Sequence, residues 1–183
     1  MHTVHQSDYQ TLGRRSMRRR ALRIAVAVIV VAIGWYLFRP ELLFISRHVN
    51  ETFPATTAQV TTASHAALMP LSQGRFHGVA HATHGLATLY QLPDGKRALR
   101  LTEFETSNGP DVQVYLVATN DATDNETVTQ AGFIHLGALK GNVGDQNYEV
   151  PADVDVHKYQ AVTIWCRRFG VNFGTAPLTQ QPG

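Results

Sequence analysis

The order of hydrophobic and polar positions separates an apolar N-terminal run from a longer alternating region. Residues 24–38 carry no charge and would form a helix about 22 Å long. Six arginines precede this run: Arg14, Arg15, Arg18, Arg19, Arg20 and Arg23. When Ala21 and Leu22 are added, with Arg23 reaching toward the headgroups, the run comes near the lower limit for a membrane span. The pattern predicts one N-terminal transmembrane helix over residues 21–39.

The ends of this run favour an uncleaved anchor over the alternatives. Trp35 and Tyr36 lie near its end, where amphipathic rings favour the membrane interface, and Arg39-Pro40 stops it. The arginines argue against a buried core helix, no A-x-A-like cleavage site follows the run, and no cysteine stands nearby to carry a lipid. Because positively charged flanks stay inside, we expect a basic cytoplasmic tail over residues 1–20 and an extracytoplasmic location beyond residue 39.

Beyond the run, the composition and the apolar–polar periodicity of the sequence change twice. Residues 40–71 are predicted to be a juxtamembrane linker, because Thr, Ala and Ser dominate and no period persists. From about residue 74, short apolar–polar alternations recur between Gly, Pro, Asn and Asp. The predicted strands are 87–92, 98–104, 112–118, 133–139, 148–150, 159–168 and 171–173. Seven or eight short strands without a helical period predict an all-β fold, an antiparallel β-sandwich over residues 72–183.

Breaks in the alternation give three local predictions. Pro93-Asp94-Gly95 is typical of a turn. The alternation of the second strand slips at Thr102-Glu103, which indicates a β-bulge. The polar segment 119–130 predicts a surface loop.

Charge and composition narrow the function classes. Residues 1–39 carry seven arginines and one aspartate, whereas residues 72–183 carry eight basic and eleven acidic side chains. The net charge of +2 therefore belongs to the tail, and the rest of the chain has no nucleic-acid footprint. The single cysteine excludes an intrachain disulfide, a CxxC redox pair and a zinc site built on several thiolates. The sequence contains no recognisable Ser/His/Asp arrangement, phosphate-binding loop or pair of catalytic carboxylates, so we do not expect a stand-alone enzyme.

Cys166 is the first candidate for chemistry. On a strand it shares a face with Val162 and Ile164. Trp165 faces the other way, and Arg168 lies two residues further along the cysteine's own face, where a guanidinium would favour the thiolate. Such a thiol can transfer single electrons, form a mixed disulfide with a partner or bind a metal. Alternatively it fills the core, because free cysteine is among the most buried residue types.

Three histidines are the second candidate. His77, His81 and His84 follow an H-x3-H-x2-H spacing, and two nearby glycines argue against a helix. On a strand His77 and His81 align, whereas His84 points the opposite way. The aligned pair could bind copper, zinc or haem iron together with Cys166 or His135. The alternative is a set of surface histidines without a ligand.

Two polar loops are the third candidate. Asn108-Gly109-Pro110-Asp111 is typical of a tight turn, in which Asp111 caps the backbone. The loop 139–151 carries polar side chains around two glycines: Lys140, Asn142, Asp145, Gln146 and Asn147. Such loops can form the rim of a ligand-binding site on a rigid scaffold. Alternatively, their polar residues only stabilise the turns. Asn50-Glu51-Thr52 and Asn125-Glu126-Thr127 are glycosylation acceptors if the chain passes through a eukaryotic secretory pathway.

Four segments of the alternating region occur together in a known family. They are GRFHGVAHATHG (74–85), LRLTEFETSNGPDVQVYL (99–116), LGALKGNVGDQNYEVP (136–151) and VTIWCRRFGVNFGTAPL (162–178). Residues 74–178 resemble the electron-transfer DM-thirteen domain, the module found beside DOMON domains in Skeletor-type proteins. The resemblance implies a β-rich fold whose single characteristic cysteine, here Cys166, is redox-active.

These observations lead to one hypothesis and two alternatives. The hypothesis is a membrane-anchored extracytoplasmic module that transfers electrons through or near Cys166, with the lipid bilayer and a redox partner protein as its contacts. The first alternative is a non-catalytic ligand-binding or protein-binding β-sandwich in which Cys166 is a buried core residue. The second is metal binding by His77, His81 and His84. No cofactor is identified by the sequence.

Overall fold

The N-terminal part of the chain is a single long helix. The structure is a computed structural model that describes residues 7–38, 45–53 and 68–181, and it divides into two units, Met1–Pro40 and Glu41–Gly183. Helix α1 spans Ser7–Phe38, and the large apolar side chains described between residues 22 and 36 are exposed. Within the described residues, no helix combines the length and the apolar character needed to cross a membrane.

The second unit is built from strands. Its described strands are β1 Met69–Arg75, β2 His77–Gly78, β3 His84–Gln91, β4 Arg97–Glu105, β5 Val112–Val117, β6 Phe133–Ala138, β7 Gln146–Val150, β8 Ala161–Cys166, β9 Val171–Pro177 and β10 Thr179–Gln180. One five-stranded sheet has the order β10-β1-β3-β4-β7, and the other has the order β2-β9-β8-β5-β6. All strand pairings are antiparallel. The predicted antiparallel sandwich is confirmed, with more strands than the seven or eight expected.

The core lies between the two sheets and follows from the alternation in the sequence. Leu99 and Leu101 of β4 face Val114 and Leu116 of β5 and Ile164 of β8 in one buried cluster, and each of these side chains is at most 1% exposed. Fully burying an aliphatic side chain of this size contributes about 1.5–3 kcal/mol. The alternation along β4 and β5 therefore fixes which face of each strand points inward.

The predicted bulge in β4 is confirmed. The register between β3 and β4 shifts between His84 and Leu86, and Glu103 has a φ of 51°. Opposite the bulge, Gly85 has a φ of 112°, and a Cβ there would lie 2.7 Å from the Cα of Phe104. Only glycine adopts this conformation without strain and allows the strands to approach so closely.

A short helix interrupts the segment predicted to be a loop over residues 119–130, so that prediction is wrong in its second half. Helix α2 spans Asn125–Ala131, and the carboxylate of Asp124 accepts a hydrogen bond of 2.6 Å from the N–H of Thr127. This is an N-cap, which satisfies an otherwise unpaired backbone donor. Val128 is fully buried in a second cluster with Tyr115 and Trp165. One buried side chain in seven residues gives no periodic signal.

Part of the predicted linker lies against the β unit. Residues 45–53, which we name the strap, run beside the loop that precedes β7: His48 forms a parallel bridge with Val143. Residues 40–44 and 54–67 of the predicted linker lie outside the described residues, and β1 begins at Met69, before the expected domain boundary at residue 72.

Candidate functional site

Cys166 lies at the end of β8, inside the core. Its side chain has no exposed surface, and it belongs to the same cluster as Val162 and Ile164, whereas Trp165 belongs to the cluster on the opposite face. The predicted orientation of the strand is therefore confirmed. The predicted position of Arg168 is wrong: β8 ends at Cys166, and Arg168 is exposed in the following turn rather than further along the cysteine's face.

The backbone partners of Cys166 place it beneath the surface at one end of the sheet. It pairs with Val112 of β5 on one side and with Val171 of β9 on the other. Gly109 of the 108–111 loop lies against the side chains of Val112 and Phe173. A Cβ at position 109 would be 2.7 Å from a methyl group of Val112 and 3.0 Å from the ring of Phe173. The thiol therefore lies in the layer directly under the 108–111 loop.

The two polar loops predicted from the sequence meet over this layer. They enclose an open cavity of about 450 Å³, which we name the loop pocket. It is lined by residues 45–47 of the strap, residues 107–113 and residues 138–142. Val112 belongs both to this lining and to the backbone pair with Cys166. A molecule bound in the loop pocket would thus be separated from the thiol's strand by one strand.

A chain of polar side chains runs from the rim of the loop pocket across the outer face of the sheet. The carboxylate of Asp111 accepts hydrogen bonds from Arg167 Nε at 2.9 Å and from Gln113 Nε2 at 2.6 Å. The hydrogen bond to Asp111 raises the pKa of the Arg167 guanidinium above its ordinary value. Gln113 Oε1 lies 2.7 Å from Nε2 of His135. Because the Gln113 amide donates to Asp111, its oxygen faces His135, whose Nε2 carries the proton.

An aromatic stack lies beside this chain. The ring of Tyr115 stacks on that of Phe133 with a centroid distance of 4.3 Å, lies 6.4 Å from that of Trp165, and meets the ring of His135 edge-on at 5.4 Å. Burial raises the pKa of the Tyr115 hydroxyl, whereas Phe133 is 42% exposed. Cross-strand aromatic pairs stabilise sheets. Here they also connect Trp165, next to Cys166 in the sequence, with the surface.

The structure does not bring the three candidate histidines together. His77 belongs to the two-residue strand β2 and contacts Asp121, with 3.0 Å between Nε2 and Oδ2. His81 lies in the bend after β2, so the two do not align on one strand, and its ring packs on Phe173 at 3.9 Å. His84 begins β3 in the other sheet. Among residues 7–38, 45–53 and 68–181, no three His, Cys, Asp or Glu side chains form a group that could hold a metal ion.

A second cavity, of about 720 Å³, lies beside residues 50–52 of the strap, and we name it the lateral pocket. It is lined by residues 50–52, 92, 94, 96–98, 140 and 147–149. Lys140, Glu51 and Tyr148 belong to this lining. Nζ of Lys140 lies 2.8 Å from the carboxylate of Glu51 and 5.2 Å from the ring centre of Tyr148. Burial raises the pKa of the Tyr148 hydroxyl well above its ordinary value. Sequence reasoning missed Glu51, because a single acid in a Thr/Ala-rich segment gives no local signal.

Comparison with protein families gave a match over most of the β unit. Residues 75–178, more than half of the chain, match the family described as electron transfer DM13. The match confirms the resemblance found in the sequence. It includes Cys166 and both loops of the loop pocket, and it leaves out the strap and α1. Searches against curated proteins and against solved structures gave no match.

Proposed function

Because the chain belongs to the electron transfer DM13 family, we propose that its β unit transfers single electrons, with Cys166 as the redox group and the loop pocket as the docking face for a redox partner. The family match supports this most directly, and Cys166 lies one strand away from the loop pocket. Cys166 is fully buried, and Val112 lies between its strand and the loop pocket.

Burial of the thiol favours one-electron over two-electron chemistry. Oxidation to a sulfenic acid or a mixed disulfide requires a peroxide or a second sulfur to reach the thiol. A side chain without exposed surface meets neither. In the proposed step a ferric haem or Cu(II) centre of the partner takes one electron from Cys166, and the thiol proton leaves to water during local opening of the β unit, which yields a thiyl radical. One electron and one proton from a reductant restore the thiol.

The aromatic stack offers the proposed electron a second route. Indole and phenol side chains undergo one-electron oxidation more readily than aliphatic ones. Trp165 is adjacent to Cys166 along β8, and its ring neighbours that of Tyr115 at 6.4 Å. An electron can therefore pass between the core and the exposed edge of the sheet without entering the loop pocket.

Pulse radiolysis of the full-length protein tests this function. Azide radicals oxidise tryptophan and tyrosine side chains, and the absorbance of the resulting radicals is followed in time. If Cys166 supplies an electron to an indolyl radical at Trp165, with the thiol proton released to water and the indole proton taken up from water, the radical should decay several-fold faster in the wild type than in Cys166→Ala. Val162→Ala opens a void in the same cluster and keeps the thiol, so it should decay as the wild type does. Equal decay in wild type and Cys166→Ala would contradict redox activity of Cys166.

A second candidate function is ligand or protein binding without redox chemistry. The apolar cluster around Cys166 supports it, because a free cysteine in such surroundings behaves as a small hydrophobic residue. In that case Cys166→Ala retains function in the cell, whereas Asn108→Ala, in the lining of the loop pocket, loses it. The opposite result favours electron transfer.

We further propose that the segment 21–39 anchors the β unit to a membrane, with the N-terminus in the cytoplasm and the β unit outside. Exposed apolar side chains between Ile24 and Tyr36, preceded by six arginines, support this proposal. The protein should resist carbonate extraction, and a reporter fused after Gly183 should be active only outside the cytoplasm. Neutral replacements of Arg14, Arg15, Arg18, Arg19 and Arg20 should weaken the orientation. Carbonate release or a cytoplasmically active reporter would contradict the anchor.

A further inference from the structure

The strap adds an extended peptide to the edge of the β unit. It runs beside residues 140–147, which comprise the loop before β7 and the first two residues of that strand and which we name the receiving loop. The N–H of Val49 donates to the carbonyl of Val143 at 2.9 Å, and the N–H of Glu51 donates to the carbonyl of Asp145 at 2.9 Å. Alternate residues of one extended segment thus bond to alternate residues of the other, as in peptide recognition by strand addition.

Side chains of the receiving loop select this particular peptide. Lys140 Nζ donates to both carboxylate oxygens of Glu51, at 2.8 and 2.9 Å, and the N–H of Asn147 donates to Glu51 Oε2 at 2.8 Å. Partial burial raises the pKa of Glu51, but these hydrogen bonds outweigh it, and the net pKa is lowered. At the other end, Asn142 Oδ1 accepts a hydrogen bond of 2.6 Å from the N–H of Arg47.

The far end of the strap is held by β4. Arg100 Nη1 donates to the carbonyl of Glu51 at 3.1 Å, while its Nη2 lies 2.6 Å from Asp145 Oδ2. The guanidinium also lies 5.5 Å from the ring centre of Phe53, which packs on Tyr90 at 4.9 Å. The strap is therefore recognised along its length by both backbone and side chains.

Two glycines of the receiving loop leave room for the strap. A Cβ at Gly141 would lie 2.5 Å from the carbonyl oxygen of Arg47, and a Cβ at Gly144, whose φ is 104°, would collide with the carbonyl of Val49. The K-G-N-x-G sequence of residues 140–144 lies inside the matched region 75–178, whereas the strap lies outside it. This motif therefore forms a receptor for a segment that the family match does not include.

We propose that the receiving loop is a binding groove for an extended peptide, that the strap fills this groove within its own chain, and that the strap of a second copy of this chain replaces it. Each contact broken in such an exchange is replaced by an identical one. The balance then depends only on the effective concentration of the tethered strap relative to that of neighbouring chains. Exchange of an identical element is a low-cost route to dimers.

The lengths and exposures in the chain permit this exchange. Residues 54–67 connect the strap to β1, and these fourteen residues can span up to about 46–50 Å when fully extended. The ion pair of Glu51 with Lys140 is 32% and 41% exposed, so water screens it and its opening costs little. A strap can thus leave one β unit and reach the receiving loop of another.

Exchange has a direct consequence for both cavities. Residues 45–47 line the loop pocket, and residues 50–52 line the lateral pocket. In an exchanged pair, each cavity is completed by residues of the other copy. The dimer would therefore contain two composite sites rather than two independent ones.

Cysteine pairs across the groove test the proposal in the full-length protein. Two differently tagged chains, one with His48→Cys and one with Val143→Cys, are co-expressed and oxidised. These two positions form the bridge, so a disulfide fits there if the strap of one chain lies in the other's groove. Gln130→Cys, exposed on α2 away from the groove, is the control partner for His48→Cys. We expect a disulfide-linked heterodimer at several-fold higher yield for the bridge pair than for the control.

Two further variants separate the possible outcomes. A single chain carrying both His48→Cys and Val143→Cys should form an internal disulfide, and adding Gly144→Ala should reduce both the internal and the intermolecular product. An internal disulfide together with heterodimer yields equal to the control would overturn exchange. Absence of the internal disulfide would overturn the groove itself. The core thiol takes part in none of these measurements, so they stand or fall independently of electron transfer.

Discussion

Replacing Cys166 with serine tests the environment from which the proposed chemistry is argued. The thiol has no exposed surface and belongs to a cluster of apolar side chains. A serine hydroxyl buried there without a partner should lower the free energy of unfolding by about 1–3 kcal/mol. Alanine removes only the sulfur and leaves a void the size of a methyl group, which costs about 1 kcal/mol. We therefore expect the stability order wild type, Cys166→Ala, Cys166→Ser.

Urea unfolding of the full-length protein in mild detergent, followed by tryptophan fluorescence, measures this order. The midpoint should fall from wild type to alanine to serine with an unchanged slope, since the surface exposed on unfolding stays the same. In parallel, a thiol reagent should label the native wild-type protein no faster than the β unit unfolds. Serine as stable as alanine, or labelling as fast as that of a free cysteine, would refute the burial on which the one-electron argument rests.

Four further substitutions test the fold and the strap. Gly85→Ala should lower the free energy of unfolding by more than about 1 kcal/mol, because φ is 112° and the new Cβ meets the β4 backbone; Gly95→Ala, with φ 84° but open space, should cost less in thermal melts. Ile164→Asp should unfold the β unit in far-UV circular dichroism, since burying an unpaired carboxylate costs several kcal/mol against a total of about 5–15. The pKa of Glu51 is lowered from 4.5 on folding, so its contribution is complete above that pH and disappears as the pH falls through the folded value. The amide resonance of Asn147, whose N–H donates to Glu51 Oε2, should therefore shift below about pH 4.5, and Glu51→Gln should remove this pH dependence.

The sequence predicted elements wherever a period of two spans several residues. Leu99 and Leu101 on β4, and Val114 and Leu116 on β5, show which faces form the core before any pairing is known. Strand β2 has two residues, which is too short to display a period. The contact of Arg47 with Asn142 joins positions 95 residues apart. Local patterns carry no information about such pairings, so the docking of the strap could not be predicted.

The sequence predicted the two loops of the loop pocket but not that they meet. Residues 108–111 and 139–151 were predicted as polar loops, but their meeting depends on topology. The 108–111 loop precedes β5, and residues 139–142 follow β6. Because β5 and β6 pair antiparallel, the start of β5 and the end of β6 lie side by side at the same end of the sheet. The intervening helix α2, absent from the prediction, concealed this pairing in the sequence.

The composition of the receiving loop follows from the number of backbone groups that meet there. Asn142 is 7% exposed, and its side-chain amide bonds to two different segments. Oδ1 accepts from the N–H of Arg47 in the strap, and Nδ2 donates to the carbonyl of Thr106 at 3.1 Å. The N–H of Gly144 donates to the carbonyl of Phe104 at 2.7 Å, while a larger residue there would exclude the strap. An apolar side chain at position 142 would leave the buried carbonyl of Thr106 unpaired, at about 1–3 kcal/mol, and would remove the partner of the Arg47 N–H. The loop is therefore glycine-rich and polar because it closes the sheet, admits a peptide and lines a cavity with the same few residues.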